Sequence, residues 1–105
     1  MKVIYGKLYL RELHLAGKTS EKKRRFQPDI IKRYRKVVNI MIAVKDINSL
    51  AKINSLRYEK LIGDKQGLSS LRVSDKYRIE FEEINADGEI CASMCRLTEL
   101  SNHYK

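Results

Sequence analysis

The apolar positions change their period partway along the chain. Val3, Ile4 and Tyr5 predict a short strand over residues 2–5. Leu8, Leu10, Leu13 and Leu15 predict a short helix over residues 7–16, with Gly17 as its stop. Residues 18–27 are polar, carry the run Lys22, Lys23, Arg24 and Arg25, and read as a loop. Pro28 suits a first helical position, and Asp29 suits the positive first turn that follows. Ile30, Ile31, Tyr34, Val37, Val38, Met41 and Ile42 then recur at helical spacing, while Lys32, Arg33, Arg35 and Lys36 occupy the other side. The pattern predicts a long amphipathic helix over residues 28–44. Residues 46–53 read as a connection with space for one helical turn.

From Asn54 onward the period is two. Strands are predicted over residues 56–61, 68–73, 77–84 and 90–100, with turns at residues 63–67 and 86–88 and a short tail beyond. The stretch Gly63, Asp64, Lys65, Gln66, Gly67 lacks the Gly-Lys-Ser/Thr ending and the following helix of a phosphate-binding glycine loop, so it is read as a turn. The order is strand, helices, then a meander. It predicts one α+β domain over residues 1–105, with two N-terminal helices packed on one face of a small antiparallel sheet.

Composition narrows the class. The chain has 105 residues, 43 % of them apolar, which excludes wholesale disorder. Its longest apolar run, residues 40–44, is too short to cross a bilayer. Residues 1–7 lack the apolar stretch and cleavage site of a secretory signal, so the expected location is the cytoplasm. Cys91 and Cys95, four strand residues apart, would stand about 13 Å from each other, too far for a disulfide, and are expected to be reduced thiols. His14 and His103 are the only histidines, too few to build a metal site with these thiols, and neither a metal nor a cofactor is expected. His14, on the first helix, reads as a structural or surface residue. The net charge of +9 is concentrated: residues 1–36 hold twelve Lys/Arg against three Asp/Glu, and the remainder is balanced at ten of each. Such asymmetry points to a polyanionic partner, an acidic protein or a nucleic acid, or to a solvated basic helix.

The meander can be placed in register. Leu71, Val73, Tyr77, Ile79 and Phe81 share one face only if Val73 pairs with Tyr77 and Leu71 with Ile79. Arg72 then lies opposite Arg78 on the other face, and Ser70 opposite Glu80. Guanidinium forks match phosphate geometry, so one reading is a phosphate site. The other is a solvated face neutralised by Glu80, Glu82 or Glu59. Since the helices cover the apolar face, the arginine face is left as a cleft for Glu59, Lys60, Lys65 and the C-terminal tail to line. In that tail His103 brings a side chain that ordinarily titrates near neutrality. A histidine beside two arginines suffices for metal-free RNA cleavage by the adjacent 2′-hydroxyl.

The stretch from Tyr58 to Gly67, then Ser70-Leu71-Arg72-Val73, Tyr77-Arg78-Ile79-Glu80-Phe81 and the ending Glu99-Leu100-Ser101-Asn102-His103-Tyr104, resembles the HigB branch of the RelE/ParE toxin superfamily. The resemblance implies a toxin of a type II toxin–antitoxin pair that cuts mRNA on the ribosome without a metal and is held by a helix-turn-helix antitoxin. By position, Arg72 and Arg78 match the branch's phosphate-stabilising basic residues, and His103 its C-terminal histidine. Glu59 stands where relatives often carry histidine, and Ser101-Asn102 where they often carry Asp-Tyr. Glu59 is therefore either a general base or a salt-bridge partner of Arg72 or Arg78. Tyr104 is a candidate for stacking on a base, and Lys22, Lys23, Arg24, Arg25, Lys32, Arg33, Arg35 and Lys36 for contacts to ribosomal RNA. The same fold also serves gyrase inhibitors of the ParE kind and would serve a non-catalytic RNA-binding relative.

Overall fold

A computed structural model describes residues 1–102. Strand β1 (Lys2–Tyr5) leads into helix α1 (Leu8–Ala16), which ends on Gly17 in the left-handed conformation at φ 74°. There the Gly17 N–H closes on the Leu13 carbonyl at 3.1 Å. Helix α2 (Pro28–Ala43) starts with proline in its first turn and Asp29 beside it, as the sequence predicts. Arg35 of α2 reaches back and donates from Nε to the His14 carbonyl at 3.0 Å, satisfying a C-terminal carbonyl of α1. Helix α3 (Ile47–Ala51) is opened by Asp46, whose side chain accepts from the Ser49 N–H at 2.9 Å.

Four strands complete the sheet: β2 (Glu59–Lys60), β3 (Leu68–Arg72), β4 (Tyr77–Ile84) and β5 (Met94–Asn102). The order is β1-β5-β4-β3-β2. The β2 to β5 meander is antiparallel, but β1 runs parallel to β5, so the sheet is mixed rather than wholly antiparallel. The intervening helices provide the long crossover that a parallel pair requires. Gly6 carries the chain off β1 so close to β5 that a side chain there would meet the Leu97 carbonyl at 2.5 Å.

The helices bury one face of the sheet. Tyr9, Leu10 and Leu13 of α1 and Ile30, Tyr34, Val38 and Met41 of α2 pack with Leu71, Ile79, Phe81, Cys95 and Leu97. Inside this layer the Tyr34 hydroxyl donates to the Leu10 carbonyl at 2.7 Å. Among the described residues no helix is long and apolar enough to cross a membrane.

Two predicted strands differ from the sequence reading. The predicted strand over residues 56–61 shrinks to Glu59 and Lys60, because residues Asn54–Leu56 form a 3₁₀ turn and Arg57 takes a left-handed backbone at φ 47°. The last strand starts later and ends later, at Met94 and Asn102. The stretch before it is a loop in which Glu89 accepts from the Ala86 N–H and the Ser93 hydroxyl, both at 2.7 Å. The Ala92 carbonyl of this loop accepts from the Ile47 N–H at 3.0 Å rather than joining the sheet.

Strand β5 also carries a bulge. Glu80 pairs with Glu99 and Phe81 with Leu97, so Thr98 is an extra residue, and its hydroxyl donates to the Glu80 carbonyl at 3.1 Å. Before the bulge the buried residues are Cys95 and Leu97; after it, Leu100. The parity has flipped. Ser101 is thereby presented to the face opposite the helices, where the candidate site lies.

Candidate phosphate-binding face

The predicted register holds: Arg72 lies opposite Arg78, Ser70 opposite Glu80 and Leu71 opposite Ile79. Directly opposed like charges cost tenths of a kcal/mol unless each is compensated, and each is. Arg72 pairs with Asp75 in the β3–β4 turn, and the Arg72 guanidinium holds the Asp75 carboxyl below its ordinary range. Arg78 turns toward β2. Its Nε donates to Ser70 Oγ at 3.1 Å, and its Nη2 donates to the Arg57 carbonyl at 2.9 Å and faces Glu59 Oε1 at 3.3 Å. With only 14 % of its side chain exposed, Arg78 is held rigidly, and among the described residues its Nη1 has no partner. The left-handed turn at Arg57 aims that carbonyl.

Glu80 is the buried acid of this face, its side chain 9 % exposed. Lys65 Nζ and Ser101 Oγ both donate to its Oε2, at 2.6 and 2.8 Å. A carboxylate so nearly withdrawn from water needs such partners. The three acids that were candidates to neutralise the arginines thus divide: Glu59 serves Arg78, Glu80 serves Lys65, and Glu82 pairs with Arg96 at 2.5 Å. Glu59 is therefore in the salt bridge with Arg78 that was one of its two readings.

Next to Lys65 a cleft of about 370 Å³ runs over the end of β5, lined by Lys23, Arg24, Arg25, Phe26, Tyr77, Glu99 and Ser101 among others. Its one acid is occupied. Glu99 accepts from the Tyr9 hydroxyl, from Lys7 at 3.2 Å and from Arg24 at 3.1 Å. Burial pushes the Glu99 carboxyl up, but the hydrogen bonds from Tyr9 and Lys7 and the charges of Lys7 and Arg24 outweigh it, and the net displacement is downward.

No protein-family model matches the chain, and no curated protein sequence does. Among solved structures, the fold is similar to that titled "YoeB/ParE toxin from Agrobacterium tumefaciens", with a TM-score of 0.56 and 15 % identity over 99 % of this chain and 100 % of that one. The chain has a RelE/ParE-like toxin fold. At this identity the likeness is one of fold.

Not every predicted residue reaches the arginine face. Lys60 pairs with Ser69, whose hydroxyl bonds Glu83 on the other side of the sheet, so Lys60 lies on the opposite pleat from Glu59. Arg35 lines a groove of about 950 Å³ between α1 and α2, as do Lys32 and Lys36, but these two, with Arg33, also line a cleft of about 520 Å³ that Arg72 borders. Arg33 borders a separate cleft with Asp75, Tyr77 and Asn102. Lys22 is exposed in the loop. His103 and Tyr104 lie outside the described residues. His14 is buried: its Nε2 meets Asn39 Oδ1 at 2.7 Å and its Nδ1 meets the Tyr5 hydroxyl. Because an amide oxygen only accepts, Nε2 carries a proton. Cys91 lies in the loop before β5 and Cys95 within β5, both as free thiols, and burial pushes the Cys95 thiol up to about 12. Among the described residues no cluster of His, Cys, Asp or Glu could hold a metal. The parts the sequence reading missed are the Arg57 carbonyl, the Ser70 and Ser101 hydroxyls, and the sealing of Glu99 by Tyr9. The first of these depends on a backbone dihedral and Ser101 on a bulge, and neither leaves a periodic trace.

Proposed function

We propose that this chain is a toxin of a type II toxin–antitoxin pair and a ribosome-dependent mRNA endonuclease. The observation that carries the reading is Arg78, a nearly buried guanidinium fixed by Ser70, Arg57 and Glu59 on an otherwise open sheet face, with Nη1 left for a phosphate oxygen. A cation fixed in advance stabilises charge as it develops on the phosphate without reorganising. Arg72, on the neighbouring strand, is the second such cation.

In the reaction, the 2′-oxygen attacks the adjacent phosphorus and the bond to the 5′-oxygen breaks, leaving a 2′,3′-cyclic phosphate and a 5′-hydroxyl. One group takes the 2′-proton and another protonates the departing oxygen. We assign the second role to His103, two residues beyond Ser101 in the sequence, and the first to Glu59. With Glu59 shared with Arg78, the pair depends on a substrate already bent for in-line attack, which the ribosome supplies. Free RNA is then a poor substrate. The basic residues of α2 serve ribosomal RNA through salt-sensitive backbone contacts, and a helix-turn-helix antitoxin is the inhibiting partner. The combination of a fixed guanidinium and an open face favours this reading over gyrase inhibition, which requires neither.

Primer extension on an mRNA incubated with purified protein, with and without ribosomes, tests the proposal. Cuts should appear within codons only when ribosomes are present, and Arg78→Ala and His103→Ala should each abolish them. Protein that arrests growth yet cuts in neither condition would refute the nuclease and direct attention to a protein target.

A further inference from the structure

The loop between α1 and α2 holds the run Lys22 to Arg25, yet its four cations are not equivalent. Arg24 is committed inward. It faces Glu99 Oε1 at 3.1 Å and Glu21 Oε2 at 3.8 Å, and its guanidinium sits 4.5 Å from the centre of the Tyr9 ring. Two residues on, Phe26 stacks beside Tyr9 at 6.4 Å and meets Tyr77 edge-on at 5.5 Å. Tyr9 in turn accepts from the Leu100 N–H at 2.9 Å. The loop is thus fastened at two neighbouring points to the end of β5. Between and beside these points Lys23 and Arg25 are exposed, have no acidic partner among the described residues, and line the same cleft as Lys65 and Ser101. Lys65 also belongs to the Glu80 cluster of the arginine face.

We infer that Lys23 and Arg25 bind backbone phosphates of the single-stranded RNA substrate next to the phosphate at Arg78, and that Glu99 is the positioning residue that holds them there through Arg24. This rests on the nuclease reading for the identity of the strand. It assigns these two cations to the substrate and not to the ribosome, since they share a cleft with Lys65 and Ser101, the two donors to the buried Glu80 of the arginine face. Fastening the loop before binding removes an ordering cost that a mobile loop would incur.

The probe is a short fluorescein-labelled oligouridylate, its binding followed by anisotropy across a salt series without ribosomes. Lys23→Ala/Arg25→Ala should weaken binding about tenfold and make the slope of log affinity against log salt shallower by about 0.7 for each lost contact. The charge-matched control Lys45→Ala/Lys52→Ala, on exposed residues beyond α2, should leave both within error. Glu99→Gln separates position from charge. It makes the protein more positive, so bulk electrostatics predicts tighter binding, whereas loss of the fastening predicts weaker binding and a shallower slope. Equal losses in the two double variants, or tighter binding by Glu99→Gln, would overturn the inference. Wild-type protein that ignores the oligonucleotide at low salt would also overturn it and leave an acidic protein surface as the loop's partner. The two readings fail separately. A protein that cuts no RNA but loses binding with Lys23→Ala/Arg25→Ala refutes the nuclease alone. Ribosome-dependent cutting with unchanged binding in that variant refutes the loop assignment alone.

Discussion

The ion pair between Lys65 and Glu80 has one end in water and one end out of it, with 53 % of the lysine side chain exposed against 9 % of the acid. Its value lies in what is left when it is broken. Lys65→Met strands a buried carboxylate that Ser101 alone still serves. It should destabilise the fold by about 1 kcal/mol, held to that size by water reaching the site of the half-exposed ammonium. Adding Glu80→Gln should recover most of the loss, since a neutral amide can still accept from Ser101. Urea midpoints of the two variants decide it. A Lys65→Met protein as stable as wild type would mean that Glu80 is solvated. The same logic explains His14. Both ring nitrogens are occupied in a buried position between Tyr5 and Asn39, which makes it a structural residue.

At the level of elements, what the sequence revealed and what it hid have distinct physical causes. Helix α2 was legible because proline, Asp29 and an apolar stripe at helical spacing agree. The β3–β4 register was legible because a single-residue slip would turn Leu71 or Ile79 into water. Hence Arg72 opposite Arg78 could be placed from pattern alone. Strand β2 was not legible: Leu56 to Leu61 alternates well enough, but Leu56 is buried from a 3₁₀ turn and Arg57 breaks the extended run. The far end of β5 was hidden by Thr98, since a bulge shifts the parity on which period-two reading depends. The bulge makes an unusual prediction about deletions. Removing a residue from a central strand ordinarily reverses every side chain beyond it. Deleting Thr98 should instead leave Glu99 opposite Glu80 and Leu100 opposite Ile79 in a regular ladder. That protein should fold and unfold cooperatively, with a loss of about 1–2 kcal/mol for the changed strand path and the missing hydroxyl bond. Deleting Arg96, two residues earlier and exposed, should prevent folding. Circular dichroism and urea melts of the two deletions would show it, and equal damage from both would mean that the bulge does not set the register.

On the scale of the whole molecule, one layer of phenols links the helices to the sheet. Tyr9 and Tyr34 are buried in the core, and Tyr58 packs on Phe81 while donating to Glu83. Burial raises the pKa of all three, with Glu99 reinforcing the shift at Tyr9 and Glu83 at Tyr58, which is pushed up to about 12 from an ordinary 10.0. A raised phenol pKa means that the folded chain holds its protons more tightly than the unfolded chain. The resulting stability is complete below the unfolded value and is lost as pH rises through the folded one. The window runs from pH 10.0 to about 12 for Tyr58 and extends higher for the two buried deeper. Unfolding must therefore help these phenols to ionise. In an alkaline titration followed by tyrosinate absorbance, their signal should appear in one cooperative step together with loss of the circular dichroism of the fold. The protein in urea should titrate smoothly near the ordinary value. Tyr58→Phe should reduce the steepness of the loss of stability above pH 10.0, because it removes one proton that the native state holds preferentially. Gradual ionisation of the native protein at the ordinary phenol pKa, with the circular dichroism unchanged, would show that water reaches these hydroxyls and that the helix layer is not closed on the sheet.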